Sequence, residues 1–161
     1  MITLYHGSIA EVQNPLVSLG RANLDFGKGF YVTDLRSQAE SWARRMATRR
    51  FKSPILNVYE FDIESIKSNC RYLCFDAYDK AWLDFIIASR NGGQQWQVYD
   101  VIEGGVANDR VIATVEDYMR GRMSAEAALA ELSKHQPNNQ VCILNQSVID
   151  QYLHFVQSID I

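Results

Sequence analysis

The chain has 161 residues, 47% hydrophobic and 22% charged, with a formal net charge of −3. That length suits a single domain spanning 1–161 with one sizeable core. The mild acidity supplies no global field to draw the chain to nucleic acid or to an anionic membrane, so only a local patch is left for such contacts. No apolar run is long enough for a bilayer, and the N-terminus has no basic start followed by an apolar stretch. A cytoplasmic protein without membrane contact is therefore expected. Cys70, Cys74 and Cys142 show no regular spacing, which favours buried, reduced thiols over a disulfide framework, and no metal site is expected.

Residues 2–6 (ITLYH) are β-branched and aromatic and predict a first strand. Residues 9–28 carry Pro15, Gly20, Gly27 and many polar side chains, a long connection of the sort that often holds function. A short strand is predicted from Phe30 to Thr33, followed by a helix with Asp34 as its cap. In that helix Leu35, Ala39, Trp42 and Met46 recur at helical spacing and predict one apolar face. Strands are predicted at 55–61 and 71–75, and a helix at 78–90 carrying Trp82, Phe85 and Ile86. The stretch 91–95 (NGGQQ) predicts a turn, and 96–102 a strand ending at Gly104 and Gly105. Helices are predicted at 109–120 and 125–134, the second capped by Ser124, and late strands at 140–144 and 153–159. Strands and helices mix without a strict βαβ rhythm, so the expected class is α+β with largely antiparallel pairing.

Three segments carry chemistry. The first is Leu4-Tyr5-His6-Gly7-Ser8, where a strand ends in a histidine and a glycine. The second runs from Phe26 through Gly27, Lys28, Gly29, Phe30, Tyr31, Val32 and Thr33 to Asp34, directly into the Trp42 helix. The third is Asn139-Gln140-Val141-Cys142-Ile143-Leu144, a strand opened by polar residues. Closely spaced glycines let a backbone approach a ligand or another strand. Trp42 follows Tyr31 by eleven residues. If the helix folds back, the two aromatic rings make a slot for a flat cationic ring, through stacking and cation–π attraction.

In this order the segments resemble the diphtheria-toxin and poly(ADP-ribose)-polymerase branch of the ADP-ribosyltransferases, which carries a histidine–tyrosine–glutamate triad on three strands. His6-Gly7-Ser8 is similar to its first motif and the run from Gly27 to Asp34 to its second. Trp42 sits where the polymerases place a second aromatic, and Asn139-Gln140 stands at the third motif with Gln140 in place of glutamate. Over nearly its whole length the chain also resembles a bacterial family catalogued as domain of unknown function 3990, itself grouped with the ADP-ribosyltransferases. That likeness rests on LYHGS, DFGKGFYVT, the Gln-Ala-x-x-Trp-Ala at 38–43, Trp82 with Asp84-Phe85, Tyr99-Asp100 and Val106-Ala107-Asn108-Asp109.

The resemblance implies a single ADP-ribosyltransferase-like domain, with a mostly antiparallel split sheet and flanking helices. It implies NAD as co-substrate, without a metal, and His6, Tyr31 and Gln140 as the catalytic set. His6 would bind ribose hydroxyls, the Gly7 backbone the nicotinamide amide, and Tyr31 and Trp42 the nicotinamide ring, with Ser8 and Gly29 in the same motifs as further contacts. The position of an amide-binding serine is Ala39 here. A glutamine can hydrogen-bond the ribose but brings no charge and no base, and losing one aimed electrostatic partner costs about 3–4 kcal/mol of barrier. Asp100, Glu103 and Asp109 are the carboxylates available for recruitment instead, and Arg21 is a separate candidate for the diphosphate.

The expected activity is transfer of a single ADP-ribose from NAD to a macromolecular acceptor, protein or nucleic acid. Bacterial domains of this kind resemble intracellular toxins held in check by a small antitoxin protein. The alternatives are a degenerate transferase that binds NAD or ADP-ribose without turnover, an NAD glycohydrolase, and a relative of the RNA 2′-phosphotransferases using His6, Lys28 and Arg21. Plainer readings stand beside these: Trp42 has the spacing of a core residue, Gly27 and Gly29 suit a turn, and Gln140 suits any strand start. Arg44, Arg45, Arg49, Arg50 and Lys52 at the end of the Trp42 helix are explained by the helix dipole, with a phosphate-binding face as the functional alternative.

Overall fold

A computed structural model describes residues 1–107 and 111–161. In chain order its elements are β1 (Ile2–Ser8), β2 (Phe30–Val32), α1 (Arg36–Arg50), β3 (Ile55–Phe61), α2 (Ile63–Asn69), β4 (Tyr72–Cys74) and α3 (Lys80–Arg90). They continue with β5 (Val101–Gly105), α4 (Ile112–Met119), α5 (Ala125–Leu132), β6 (Asn139–Ile143), α6 (Gln146–Tyr152) and β7 (Leu153–Asp160). Short 3-10 turns occupy Val17–Leu19 and Gln95–Val98. The class is α+β. One sheet, in the order β1-β3-β7, is antiparallel; the other, β2-β6-β5-β4, is mixed. The expected antiparallel pairing holds except between β4 and β5, which run parallel. Among the described residues no helix is long and apolar enough to cross a membrane.

Side chains alternate along each strand, and the alternation builds two cores. Leu4, Tyr59 and Phe61 of the first sheet meet Phe30, Val32, Val101, Val141 and Ile143 of the second, closed by Ile63 and Ile66 of α2 and Val148 and Ile149 of α6. On the other face of the second sheet, Ile102 and Cys142 pack against Trp82, Leu83 and Ile86 of α3, Val115 of α4, Ala128 and Leu132 of α5, and Phe26 from the long loop. The two sheets therefore share one core rather than forming one continuous surface.

Several expectations are corrected. Asp34 does not cap α1. Leu35 holds the cap position in an extended conformation, and the Thr33 hydroxyl supplies the local turn by accepting from Leu35 N–H at 3.1 Å. The buried face of α1 is Ala39, Ala43 and Ala47, while Leu35 and Trp42 are 39% and 40% exposed. Small residues face the strand because the backbones lie very close there, so the large ones turn to the flanks. The strand expected at 96–102 is replaced by a 3-10 turn followed by β5. Trp96 lies flat on Gly27, with its ring nitrogen donating to the Gly93 carbonyl at 3.0 Å. As expected, the strand ends at Gly104 and Gly105, which are the last two residues of β5. A Cβ on Gly104 would meet Phe26 at 2.9 Å and one on Gly105 would meet Tyr78 at 2.3 Å, so packing rather than turning requires them. Cys142 is buried but Cys74 is exposed. The predicted 109–120 helix appears as α4 from Ile112; its first residues, and Asp109, lie outside the described part.

Candidate active site between the sheets

The site begins with one main-chain pairing. Tyr5 donates to the Thr33 carbonyl at 2.7 Å, and Thr33 donates back to Tyr5 at 3.0 Å. This is the isolated bridge that ties β1 to β2, and so the first sheet to the second. In an extended strand the N–H and C=O of one residue point to the same side, and the side alternates from residue to residue. Since Tyr5 uses β2, the residues of β1 that bond β3 are Leu4, His6 and Ser8, and Gly7 points both of its main-chain groups toward β2. Continuing the register places Gly7 opposite Tyr31. The strands do not pair there, and among the described residues the Gly7 N–H and C=O have no partner. Tyr31 obeys the same alternation: Phe30 and Val32 pair with β6, so its N–H and C=O face β1.

His6 holds this gap open. Its Nδ1 lies 2.8 Å from the Tyr31 carbonyl, the acceptor that Gly7 N–H would otherwise use. A carbonyl can only accept, so Nδ1 carries the proton and Nε2 presents a lone pair. The ring leans on Phe30, centroid to centroid 4.6 Å. Burial pushes the imidazole below its ordinary value, against a smaller opposing effect of the Tyr31 carbonyl, so His6 is held neutral.

Tyr5, Gly7, Tyr31 and Thr33 share one face by the same register, and α1 covers it. A Cβ on Gly7 would fall 2.0 Å from the Ala39 carbonyl oxygen and 2.9 Å from Ala43 N, so glycine lets α1 lie directly on β1. Tyr31 projects from this face. Its hydroxyl accepts from Phe26 N–H at 3.0 Å and donates to the Gly27 carbonyl at 2.7 Å, which ties the long loop to β2. Burial raises the phenol far above its usual range, with the neighbouring Cys142 adding to the rise, so it stays protonated. Among the described residues no ring contact joins Tyr31 to Trp42. Instead the Arg21 guanidinium lies 5.9 Å from the centre of the Trp42 ring, bringing together two residues singled out separately in the sequence. Gly29 is a close-approach position, since a Cβ there would meet the Ile143 carbonyl at 2.5 Å. Ser8 is buried at the end of β1 opposite Ile55, on the His6 side of the strand.

Gln140 stands at the start of β6. Because Val32 pairs with Val141, Gln140 falls next to Thr33 and on the Tyr31 side of the sheet. Its Nε2 is buried without a hydrogen-bond partner. The Thr33 hydroxyl donates to the neighbouring Asn139 carbonyl at 2.6 Å. So does Gln38 Nε2 from the first turn of α1, at 3.4 Å. Gln38 thus lies beside Thr33 and Asn139, although in the sequence it stands out only as part of the Gln-Ala-x-x-Trp-Ala motif. Its signal was the position itself, one residue before the buried alanine stripe.

A family model described as "Protein of unknown function (DUF3990)" matches residues 2–155. The chain belongs to the DUF3990 family. Neither the curated proteins nor the solved structures give a match. The matched span takes in β1, the long loop, β2, α1 and β6, so every residue of the gap lies within the DUF3990 region.

In this DUF3990 chain two of the carboxylates expected as substitutes for a glutamate, Asp100 and Glu103, are engaged elsewhere. Asp100 takes two bonds from the Arg71 side chain, at 2.7 and 3.1 Å, one from Arg71 N–H at 2.8 Å and one from Asn145 at 3.0 Å. The Arg71 contact holds its carboxyl well below the usual carboxylate range and fixes the start of β5. Glu103 accepts from Asn139 Nδ2 at 2.7 Å. It pairs with Val141 and so lies on the opposite face from Gln140. Arg44, Arg49, Arg50 and Lys52 are exposed; Arg49 and Arg50 fill the last turn of α1, where the helix dipole favours them, whereas Arg44 lies nearer its middle. Arg90 is bound to Asp25 at 2.6 Å, with both side chains mostly buried, and anchors the long loop to α3.

Proposed function

We propose that this protein is a mono-ADP-ribosyltransferase that takes NAD in the gap between β1 and β2. The observation that carries the reading is the pair of unpartnered Gly7 main-chain groups facing Tyr31. One donor and one acceptor on a single residue match the acceptor and donor of a primary carboxamide, the group nicotinamide carries. The neutral His6 offers Nε2 as an acceptor for a sugar hydroxyl, and its other nitrogen is locked on Tyr31, so the ring needs no reorganisation on binding. Trp42 already has a flat cation near its face, the Arg21 guanidinium. The nicotinamide ring of NAD is a flat cation as well and would replace it, freeing Arg21 for the diphosphate.

In the reaction the glycosidic bond to nicotinamide breaks and its electron pair leaves with the nicotinamide nitrogen. The positive charge spreads over the ribose ring. A nucleophilic atom of the acceptor then bonds the sugar carbon and releases its proton to solvent. Gln140 contributes a hydrogen bond without charge, and neither Asp100 nor Glu103 faces it, so the rate rests on positioning. Macromolecular acceptors, and a toxin role held by an antitoxin, belong to this reading through the family resemblance alone.

That neither Asp100 nor Glu103 faces Gln140 favours one second reading, an NAD- or ADP-ribose-binding module without turnover. The deciding experiment is incubation of the pure protein with NAD labelled in nicotinamide, with and without cell lysate. Release by the wild type, lost in Trp42→Ala and raised in Gln140→Glu, supports the transferase; restoring an aimed charge is worth roughly 100- to 1000-fold in rate. Free ADP-ribose as the sole product would mark a glycohydrolase. Binding of NAD without release supports the module, and neither binding nor release refutes both.

A further inference from the structure

The C-terminal end of α1 carries a side chain that the fold itself does not call for. Phe51 caps the helix with φ 53 and ψ 47, in the left-handed region, and its N–H and that of Lys52 both donate to the Ala47 carbonyl. Such a cap suits glycine, because a side chain there crowds its own backbone. Phe51 is nevertheless 97% exposed, the most exposed large hydrophobic residue among those described. The ring strains the turn while adding almost nothing to the core. Cations accompany it: Arg44, Arg49, Arg50 and Lys52 are exposed, and among the described residues none of these four makes an ion pair. The helix dipole accounts for Arg49 and Arg50, but not for Arg44 or for an aromatic ring in solvent. In a chain of net charge −3 this patch runs against the overall sign. Trp42 and Arg49 stand seven residues apart, two helical turns, and so share one flank of α1. Trp42 is the residue that also meets the Arg21 guanidinium. From Trp42 to Phe51 is about 14 Å along the helix axis, the rise of about four stacked nucleotides.

We propose that this end of α1 binds a single-stranded polynucleotide, with an unpaired base stacked on Phe51 and the phosphates held by Arg44, Arg49, Arg50 and Lys52. A ring open on all sides is a platform for the flat face of a base, which needs no pocket. A duplex hides those faces within its own stack. A membrane surface needs a broad apolar face, and the apolar face of α1, Ala39, Ala43 and Ala47, is buried, with Ala39 and Ala43 lying on Gly7 of β1. An acidic peptide meets the cations but leaves the ring without a flat partner. The flank shared by Arg49 and Trp42 leads the strand to the edge of the cleft, which makes a nucleic acid the acceptor. That last step rests on the transferase reading; the binding surface does not.

Fluorescence anisotropy with the full chain measures binding of single-stranded RNA and DNA of about 12 nucleotides, of the matching duplex and of a polyglutamate peptide, each at low and rising salt. Vesicles of phosphatidylserine and phosphatidylcholine are tested by co-sedimentation. Single strands should bind best. Phe51→Gly should weaken them about 5- to 100-fold, the range for one lost base stack, and Phe51→Tyr should bind as wild type does. Because glycine suits the left-handed turn, Phe51→Gly should also raise the unfolding temperature by about 2–4 °C, which separates a lost contact from a lost fold. Arg49→Ala combined with Arg50→Ala should flatten the slope of log affinity against log salt by about 1.4, two phosphate contacts at about 0.7 each. Undiminished binding by Phe51→Gly, a lowered unfolding temperature, or tighter binding of the duplex, the polyglutamate or the vesicles overturns the proposal. With NAD labelled in the adenine, the bound strand should take up label. If wild type cleaves no NAD, the transferase reading fails and the binding measurements alone decide this surface. Cleavage and strand binding without label on the strand overturn the acceptor role.

Discussion

Gly7→Ala probes the contact on which the cleft depends. The added methyl would lie 2.0 Å from the Ala39 carbonyl oxygen and 2.9 Å from both Ala39 C and Ala43 N. All three are main-chain atoms of α1, so no side chain can swing aside. Ordinary contact begins at 3.4 Å, so the helix must retreat by 3.4 − 2.0 = 1.4 Å along that direction. Such a shift lifts Ala39 and Ala43 from the strand and carries Trp42 and Gln38 with them. Overpacking costs about 1–3 kcal/mol, and a clash against rigid backbone belongs at the upper end. For a chain of this size about 3 kcal/mol lowers the melting temperature by roughly 6–12 °C. Thermal unfolding followed by circular dichroism measures it, with urea unfolding to check that the m-value is unchanged. A melting temperature within about 1 °C of wild type would show that α1 does not rest on Gly7, and the covered face described here would be wrong.

Two further outcomes follow from the same site. The folded pKa of His6 lies below its unfolded value near 6.5, so the unfolded chain takes up the proton first as pH falls. Its contribution is therefore full above about pH 6.5 and is lost as pH drops toward the folded pKa. In urea unfolding from about pH 7.5 to about pH 5, wild type should lose stability more steeply than His6→Asn; parallel curves would mean the imidazole is not held neutral. Tyr31→Phe strands the Phe26 N–H and the Gly27 carbonyl, which the hydroxyl now joins, at a cost of about 1–3 kcal/mol. Equal stability of the two proteins in urea would show that the loop is not fastened there, while a loss would mean that any activity lost in a Tyr31 variant must be separated from loop release.

What local chemistry controls was legible along the chain. β1, β3 and α3 declare themselves through β-branched runs and helical spacing, and Ser124 caps α5 as its sequence predicts, accepting from Ala127 N–H. The short α2 and α6 were not legible. Each spans seven residues and buries only two apolar side chains, too few to set a period, and their caps Asp62 and Asn145 resemble ordinary turn residues. The motifs single out His6, Gly7, Tyr31 and Gln140 in the sequence, but not the register that sets which way each of them points. Why position 104 must be a glycine depends on Phe26, which packs on it from a distant part of the sequence. Which side of α1 is buried depends on Gly7, because close backbone approach rewards alanine over tryptophan at the contact. Strand pairing decides most of all. A single bridge between Tyr5 and Thr33 sets the direction of every main-chain group nearby, so it takes the tertiary register to show that the Gly7 amide is free and that Thr33 and Gln38 meet at the Asn139 carbonyl.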